Sequence, residues 1–426
     1  MKNIPAILRE KADELEKKTK ARFPKLAPLV KQCFLNTIET TVTQLDDGSY
    51  FVITGDIPAM WLRDSAAQVK PYIKYAAEDE QLREILRSII AKHAFYVNLD
   101  PYSNAFNATD SGVIFGYKDH TDFENGYIWE RKYEVDSLCA SLYLTHEYYT
   151  ATKDRKIFTD SLHGMIHTIV QTFTDQQDHA ATSYFFSREN CPASDTLAHD
   201  GRGTPVNPET GMTWSGFRPS DDACQYGYLI PSNMMAVVAL SYAAELADAG
   251  WNDMALASRC HALAAQIDAG IQKFGIVDHP KYGKIYAYET DGFGNYNLMD
   301  DANSPSLLSL PYLGYCEADD PIYQNTRRFI LSKDNPYFYE GTAAKGIGSP
   351  HTPQNYIWHI SLSMQALTST NEEEIQYCMD TIAATHAGTC YMHEGFDVND
   401  PSKFTREWFA WANTLFAQTV ETLVNR

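Results

Sequence analysis

The chain has 426 residues and carries 35 Lys plus Arg against 55 Asp plus Glu, a formal net charge of -20, which excludes the basic face that nucleic acid or an anionic membrane surface needs in a primary partner. Hydrophobic residues at 44% and charged residues at 21% exclude a disordered chain and allow a large core. Aromatics at 13%, with 27 Tyr and 7 Trp, point to a wide, partly wet cleft walled by rings with polar tips.

The opening segment, residues 5–19, has a helical pattern, and Arg9, Glu10 and Lys11 interrupt its apolar start, so it does not read as a signal peptide. Apolar stripes at helical spacing follow over 27–38 and 65–77, separated by an expected hairpin of Thr37 to Leu45, the Asp47-Gly48 turn and Tyr50 to Thr54. Leu82, Ile85, Leu86, Ile89 and Ile90 mark the next helix, and 135–150 another. Phe158, Leu162, Met165, Ile166, Ile169, Val170 and Phe173 make one more stripe, and 233–248 and 252–274 continue the series. After a short strand from Lys284 to Tyr288, the stripes at 356–368, 373–385 and 407–424 bring the count to roughly eleven helices.

Between them lie long segments rich in Gly, Pro, Asn, Asp and aromatics, at 101–131, 186–232, 286–325 and 336–356. Loops this long in a compact domain are usually functional. No linker composition or fixed-period repeat divides the chain, so it reads as one all-α domain over residues 1–426 whose long loops gather on one face. Nowhere do 18 apolar residues run together, so no transmembrane helix is expected. Cys33, Cys139, Cys191, Cys224, Cys260, Cys316, Cys378 and Cys390 contain no CxxC pair and read as reduced thiols of a cytoplasmic protein. Asn107-Ala-Thr109 matches a glycosylation sequon that this setting leaves without a role.

Three segments carry chemistry. In Thr54-Gly-Asp-Ile-Pro-Ala-Met-Trp-Leu-Arg-Asp-Ser65, Trp61 can stack on a pyranose while Arg63 and Asp64 grip vicinal hydroxyls; a plain salt bridge with Asp64 or Ser65 as an N-cap is the structural alternative. In Gly211 to Tyr228, the adjacent carboxylates Asp221 and Asp222 sit among Trp214, Phe217, Tyr226 and Tyr228. Rings around a carboxyl raise its pKa and suit a general acid, whereas a helix start at Ser220-Asp-Asp would lower it. The third segment, Thr389-Cys-Tyr-Met-His-Glu-Gly-Phe396, places Glu394 in a short loop, and Glu407 then opens the final helix. His393-Glu394 begins a zincin pattern, but position 397 is Asp. No Walker A, GxGxxG or GxSxG motif is present. With Asn104, Asn107, Trp129-Glu130-Arg131, Met299-Asp300-Asp301 and Gly346 to His351, these segments describe an acidic, aromatic-walled cleft of the kind glycoside hydrolysis uses.

The run Thr54 to Ser65, together with Trp129-Glu-Arg-Lys-Tyr-Glu-Val-Asp-Ser-Leu-Cys139, Gly211 to Pro231, Gly294-Asn-Tyr-Asn-Leu-Met-Asp-Asp301, Met392 to Phe396 and Phe404-Thr-Arg-Glu-Trp-Phe409, resembles glycoside hydrolase family 125, the bacterial and fungal exo-α-1,6-mannosidases, over nearly the whole chain. The resemblance implies an (α/α)6 barrel and inverting, metal-independent hydrolysis of terminal α-1,6-linked mannose on an oligosaccharide, without a cofactor. It implies Asp221 as general acid and Glu394 as general base, although the residues themselves leave open whether Asp221 or Asp222 faces the cleft. Trp61, Arg63, Asp64, Glu130, Trp214, Asp300, His351 and Glu407 are the candidates for holding the terminal mannose. Asp397-Val-Asn-Asp400 departs from the family pattern, which has His at the first position and Asp at the third. Two rival readings are a metal-dependent mannosidase, which the missing His/Asp ligand spacing disfavours, and a glycan-binding protein without hydrolysis.

Overall fold

The computed structural model describes residues 4–114 and 116–426, so the whole opening segment, 5–19, lies within it. Among the described residues are fourteen α-helices. The first seven are α1 (Ala6–Arg22), α2 (Ala27–Asn36), α3 (Leu62–Val69), α4 (Glu80–Leu99), α5 (Val135–Thr152), α6 (Asp160–Asp175) and the one-turn α7 (Ala198–Gly201). They continue as α8 (Ile230–Trp251), α9 (Met254–Phe274), the one-turn α10 (Leu310–Leu313), α11 (Pro321–Ile330), α12 (His359–Leu367), α13 (Glu372–Thr385) and α14 (Ala410–Val424). The eleven sequence stripes all appear. α7 and α10 are too short to carry a stripe, and α11 begins inside the loop read over 286–325 and runs beyond it. Its start signal is nonetheless sound, because Asp320 accepts from the backbone N–H groups of Ile322 and Tyr323, both at 2.9 Å, with Pro321 in the first turn.

Local chemistry sets several boundaries. The stripe at 65–77 divides into α3 and a 3-10 turn, Lys70–Tyr75, because Pro71 has no N–H to continue the helix. α3 begins at Leu62 rather than behind Asp64 or Ser65, and the Ser65 hydroxyl donates back to the Trp61 carbonyl at 2.7 Å. The hairpin forms with Val42 opposite Val52, but Thr37–Thr41 winds into a π-turn continuing α2. α14 starts at Ala410, so Glu407 lies in the bend before it.

The helices are of two kinds. α3, α5, α8, α12 and α14 contain runs of consecutive buried residues, such as Val135 to Thr145 and Ala410 to Ala417, whereas α4, α6, α9 and α13 bury one stripe. The deeply buried helices follow one another in space: α12 packs on α14, α14 on α3, α3 on α5, and α5 on α8, which meets α10. The striped helices lie against them, and one continuous apolar cluster runs from Ile4 to Leu423. α8 is long and apolar enough by composition to cross a membrane, but most of it is buried in this core. Polar residues such as Ser232 and Asn233 interrupt its apolar run, which is why no uninterrupted stretch announced it.

Among the described residues, seven small antiparallel sheets tie the loops to the helix ends. One joins Met60–Trp61, Ala105–Phe106 and Ile128–Glu130, placing Trp61 beside Ala105 and Ala105 beside Glu130. Another pairs Tyr356–Trp358 with Gly395–Asp397. Gly55 bridges Phe409, joining the first chemical segment to the third. Only glycine fits there, since its φ is +132° and an added Cβ would stand 2.4 Å from the Trp408 carbonyl oxygen. The eight cysteines are all free thiols. Asn107, in the sequon, is buried and donates to the carbonyls of Val113, Gly126 and Ile128, so it anchors a loop.

Candidate active site

The helix-end loops enclose a cleft of about 390 Å³, within the roughly 300–1,000 Å³ of small-ligand sites. Asp221 and Glu394 both line it, as do Trp61, Arg63, Asp64, Glu130 and His351. Three segments far apart in sequence therefore converge on one cavity.

Asp221 sits at the tip of a pinned turn. The backbone N–H of Arg218 donates to the Asp222 carbonyl at 2.8 Å and that of Asp221 to the Arg218 carbonyl at 2.9 Å. Arg218 is anchored to the buried Glu289 at 2.6 Å, Ser220 to Asp301 at 2.8 Å, and the Pro219 carbonyl accepts from Asn303 at 2.7 Å. Asp221 itself has φ +68°, a left-handed conformation that costs a non-glycine residue energy and is concentrated at functional sites. The expected helix start at Ser220 does not form. The two neighbours then point apart. The Asp221 side chain is 27% exposed and reaches Arg63 at 3.2 Å, while that of Asp222 is 5% exposed and accepts from His351 Nδ1 at 3.0 Å.

Arg63 is the electrostatic centre of this wall. From a buried position it reaches Glu134 at 2.5 Å, Asp136 at 3.1 Å, Asp221 at 3.2 Å and Asp64 at 3.6 Å. Burial pushes the Glu134 carboxyl well above its ordinary range, and the Asp221 charge adds to the push against the opposing pull of Arg63. Burial likewise raises Asp64 to about 6 despite Arg63. Asp221 goes the other way: burial opposes its charge, but Arg63, a hydrogen bond from Glu134 and Lys132 hold it at about 2. The expectation that aromatic rings would raise this carboxyl is therefore corrected. Trp214, Phe217 and Tyr228 are turned into the core, and cations face Asp221 instead.

Glu394 occupies the opposite chemical segment, ahead of the Gly395–Asp397 strand that pairs with Tyr356–Trp358. Arg406 Nη1 lies 3.8 Å from its carboxylate, and the same guanidinium grips Asp56 across the Gly55 bridge. Burial opposes the charge on His351, but its hydrogen bond to Asp222 and the nearby Glu394 raise it to about 9, so the imidazole is cationic at neutral pH. Glu130 is held by Arg188 at 2.8 Å and Asn104 at 3.0 Å. Among the described residues, no trio of cleft His, Cys, Asp or Glu side chains brings its ligand atoms together.

Three expected site residues fall outside the cleft lining. Trp214 is a core residue, its indole stacked on His179 at 3.5 Å and parallel to Tyr133 at 6.1 Å. Asp300 is fully buried and accepts from the backbone N–H groups of Leu307 and Leu308 at 2.8 and 3.0 Å, so it organises its own loop. Glu407 is solvent exposed. Conversely, Lys132, Arg188, Asp195, Arg406, Trp358 and Phe409 line the cleft without having been singled out. Lys132 and Arg406 each stand next to a residue of a motif already in view, but sequence order carries no sign of which neighbour turns inward.

A family model described as metal-independent α-mannosidase, glycoside hydrolase family 125, matches residues 24–421. A Streptococcus pneumoniae structure, described as one of a family of metal-independent α-mannosidases in non-productive complex with α-1,6-mannobiose, is 45% identical, with a TM-score of 0.96 and full coverage of both chains. The meiotically up-regulated gene 157 protein of Schizosaccharomyces pombe is 42% identical over 422 residues, covering 94% of this chain and 82% of that protein. A bacterial glucoamylase structure shares the fold alone, at 12% identity and a TM-score of 0.55 over 85% of this chain and 49% of its own.

Proposed function

The chain belongs to glycoside hydrolase family 125, the metal-independent α-mannosidases, and from that membership we propose that it removes terminal, non-reducing α-1,6-linked mannose by inverting hydrolysis, with Asp221 as general acid and Glu394 as general base. The observation that carries the assignment is the convergence of these two carboxylates, from segments 173 positions apart, on one cleft that also presents Trp61, Arg63 and His351. The neighbour bound to α-1,6-mannobiose supports the linkage. We read the whole chain, 1–426, as one (α/α)6 domain, pairing inner α3, α5, α8, α10, α12 and α14 with outer α2, α4, α6, α9, α11 and α13.

In the proposed reaction Asp221 gives its proton to the glycosidic oxygen as the C1–O bond breaks. Glu394 takes a proton from the water that forms the new C1–O bond on the opposite face. Asp222, committed to His351 and nearly buried, is the poorer acid candidate. The low pKa of Asp221 in the free cleft calls for a source of its proton. Asp64, Glu134, Asp136 and Asp221 crowd the guanidinium of Arg63, and even with Lys132 near Asp221 and Arg406 near Asp64, full ionisation would leave an excess of buried negative charge, a costly state. The cluster therefore keeps a proton, held by Glu134 in its hydrogen bond to Asp221. Two coupled carboxyls titrate as a pair. A glycosidic oxygen docked at Asp221 draws that proton onto Asp221, leaving Glu134 as the ionised partner of Arg63.

Incubation with α-1,6-, α-1,3- and α-1,2-mannobiose in the presence of EDTA tests the reading. Mannose should be released from the α-1,6 isomer first. Tight binding of that disaccharide with no release over hours would instead make the protein a glycan-binding module.

A further inference from the structure

We infer that His163, His167 and Asp253, outside the catalytic cleft, form a binding site for a divalent transition-metal ion of the zinc class, which would clip α6 to the start of α9. His163 and His167 are four positions apart on α6, so their imidazoles rise from one face of the helix. Their rings meet edge to face with centroids 4.7 Å apart. Asp253 caps α9: one carboxylate oxygen accepts from the Leu256 N–H at 2.9 Å, and the other turns to the two histidines, 3.1 Å from His163 Nε2 and 3.8 Å from His167 Nε2. The three candidate ligand atoms lie within 4.8 Å of one another. Around a tetrahedral zinc, with bonds of about 2.0–2.2 Å, donor atoms stand roughly 3.4 Å apart, so modest side-chain movement closes the set.

Two of the three ligands are already braced. Trp251 stacks on His163 at 4.4 Å and 20° between ring planes, and the cap bond fixes Asp253. The third, His167, has its side chain 47% exposed and is free to swing, while exposures of 28% and 24% for His163 and Asp253 leave room for water at a fourth position. A hydrogen-bonded cap alone accounts for His163 and Asp253 but not for His167 turned toward the same oxygen. Two imidazoles with one carboxylate select zinc-like ions over magnesium or calcium, which prefer oxygen ligands. Binding through Nε2 replaces the His163 contact to Asp253 by two bonds to the metal and places the ring proton on Nδ1, so the imidazole ligates in its neutral form. Arg259 weighs against affinity, although its guanidinium is turned onto Gln171 at 2.5 Å.

The test uses the full-length enzyme, stripped with EDTA, dialysed and titrated with zinc chloride by calorimetry and by thermal unfolding. One zinc should bind per chain and raise the unfolding midpoint on the order of 2 °C at saturation, with no shift from magnesium. His167→Gln and Asp253→Asn, which retains a capping side chain, should unfold within about 1–2 °C of the parent in EDTA yet lose the zinc shift. Hydrolysis rates should be equal with EDTA and with saturating zinc. Absence of binding, or a shift that survives in both variants, overturns the assignment.

Discussion

As the proposed general acid, Asp221 would have to surrender a proton during hydrolysis, yet Arg63, Lys132 and Glu134 favour its ionised form. That conflict resolves only if a neighbour stores the proton, and the experiments at residue scale follow from it. Asp221→Asn and Glu394→Gln should each lower turnover on α-1,6-mannobiose at least about 100-fold with unchanged unfolding midpoints. Asp221→Asn should keep most of its rate on an aryl mannoside whose leaving group needs no proton. Glu134→Gln keeps a donor toward Asp221 but carries no transferable proton. Its activity on mannobiose should fall, and the alkaline limb of its kcat/KM profile should move to lower pH, because Asp221 alone loses its proton earlier than the pair does. If Asp221→Asn behaves as described while Glu134→Gln leaves the profile in place, the acid is correct and the proton store is wrong. His351 offers a separate check by stability. Its folded pKa is raised from 6.5 to about 9, so its contribution is complete below pH 6.5 and lost as pH rises through 9. His351→Gln should flatten the fall in unfolding midpoint across that window, modestly, since a side chain 38% exposed is partly screened.

At the scale of elements, the long loops hold the chemistry because short backbone contacts lock them to helix ends. Gly55 is the clearest instance, joining Thr54–Asp56 to the stretch that carries Arg406. Gly55→Ala forces a Cβ to 2.4 Å from a backbone carbonyl at φ +132° and should destabilise the fold by about 2 kcal/mol or more. It should also weaken mannose binding through displacement of Arg406, so KM should rise along with the loss of stability. Periodicity made the eleven helices legible because their apolar residues recur at the 3.6-residue repeat, even where α3, α5, α8, α12 and α14 go on to bury most of their surface. It could not announce α10, which has four residues, or the π-turn at Thr37–Thr41, which continues a helix through residues that alternate like a strand. Apart from the hairpin of Val42–Gln44 with Tyr50–Val52, the strands of two or three residues were silent, since they are too short for alternation to show.

On the scale of the whole molecule, alternation of deeply buried and one-sided helices produces a stable wall whose loop face is free to be acidic and aromatic. The clusters around Asp221 and Glu394 were legible as dense polar and aromatic motifs, whereas the choice of Asp221 over Asp222 came from the family resemblance and not from the residues themselves. The electrostatics of these carboxylates were not legible, because the cations that decide the pKa of Asp221 come from positions 63 and 132. Trp214 illustrates the converse: an aromatic expected to hold mannose is packing for the turn, with Gly227 placed so that an added Cβ would stand 2.0 Å from its Nε1. Hydrolysis of α-1,6-mannobiose followed by NMR of the anomeric proton, in EDTA, bears most directly on the two-carboxylate water mechanism. β-Mannose should appear first and then mutarotate. Initial release of α-mannose would contradict inversion and require a covalent intermediate in place of the water held by Glu394.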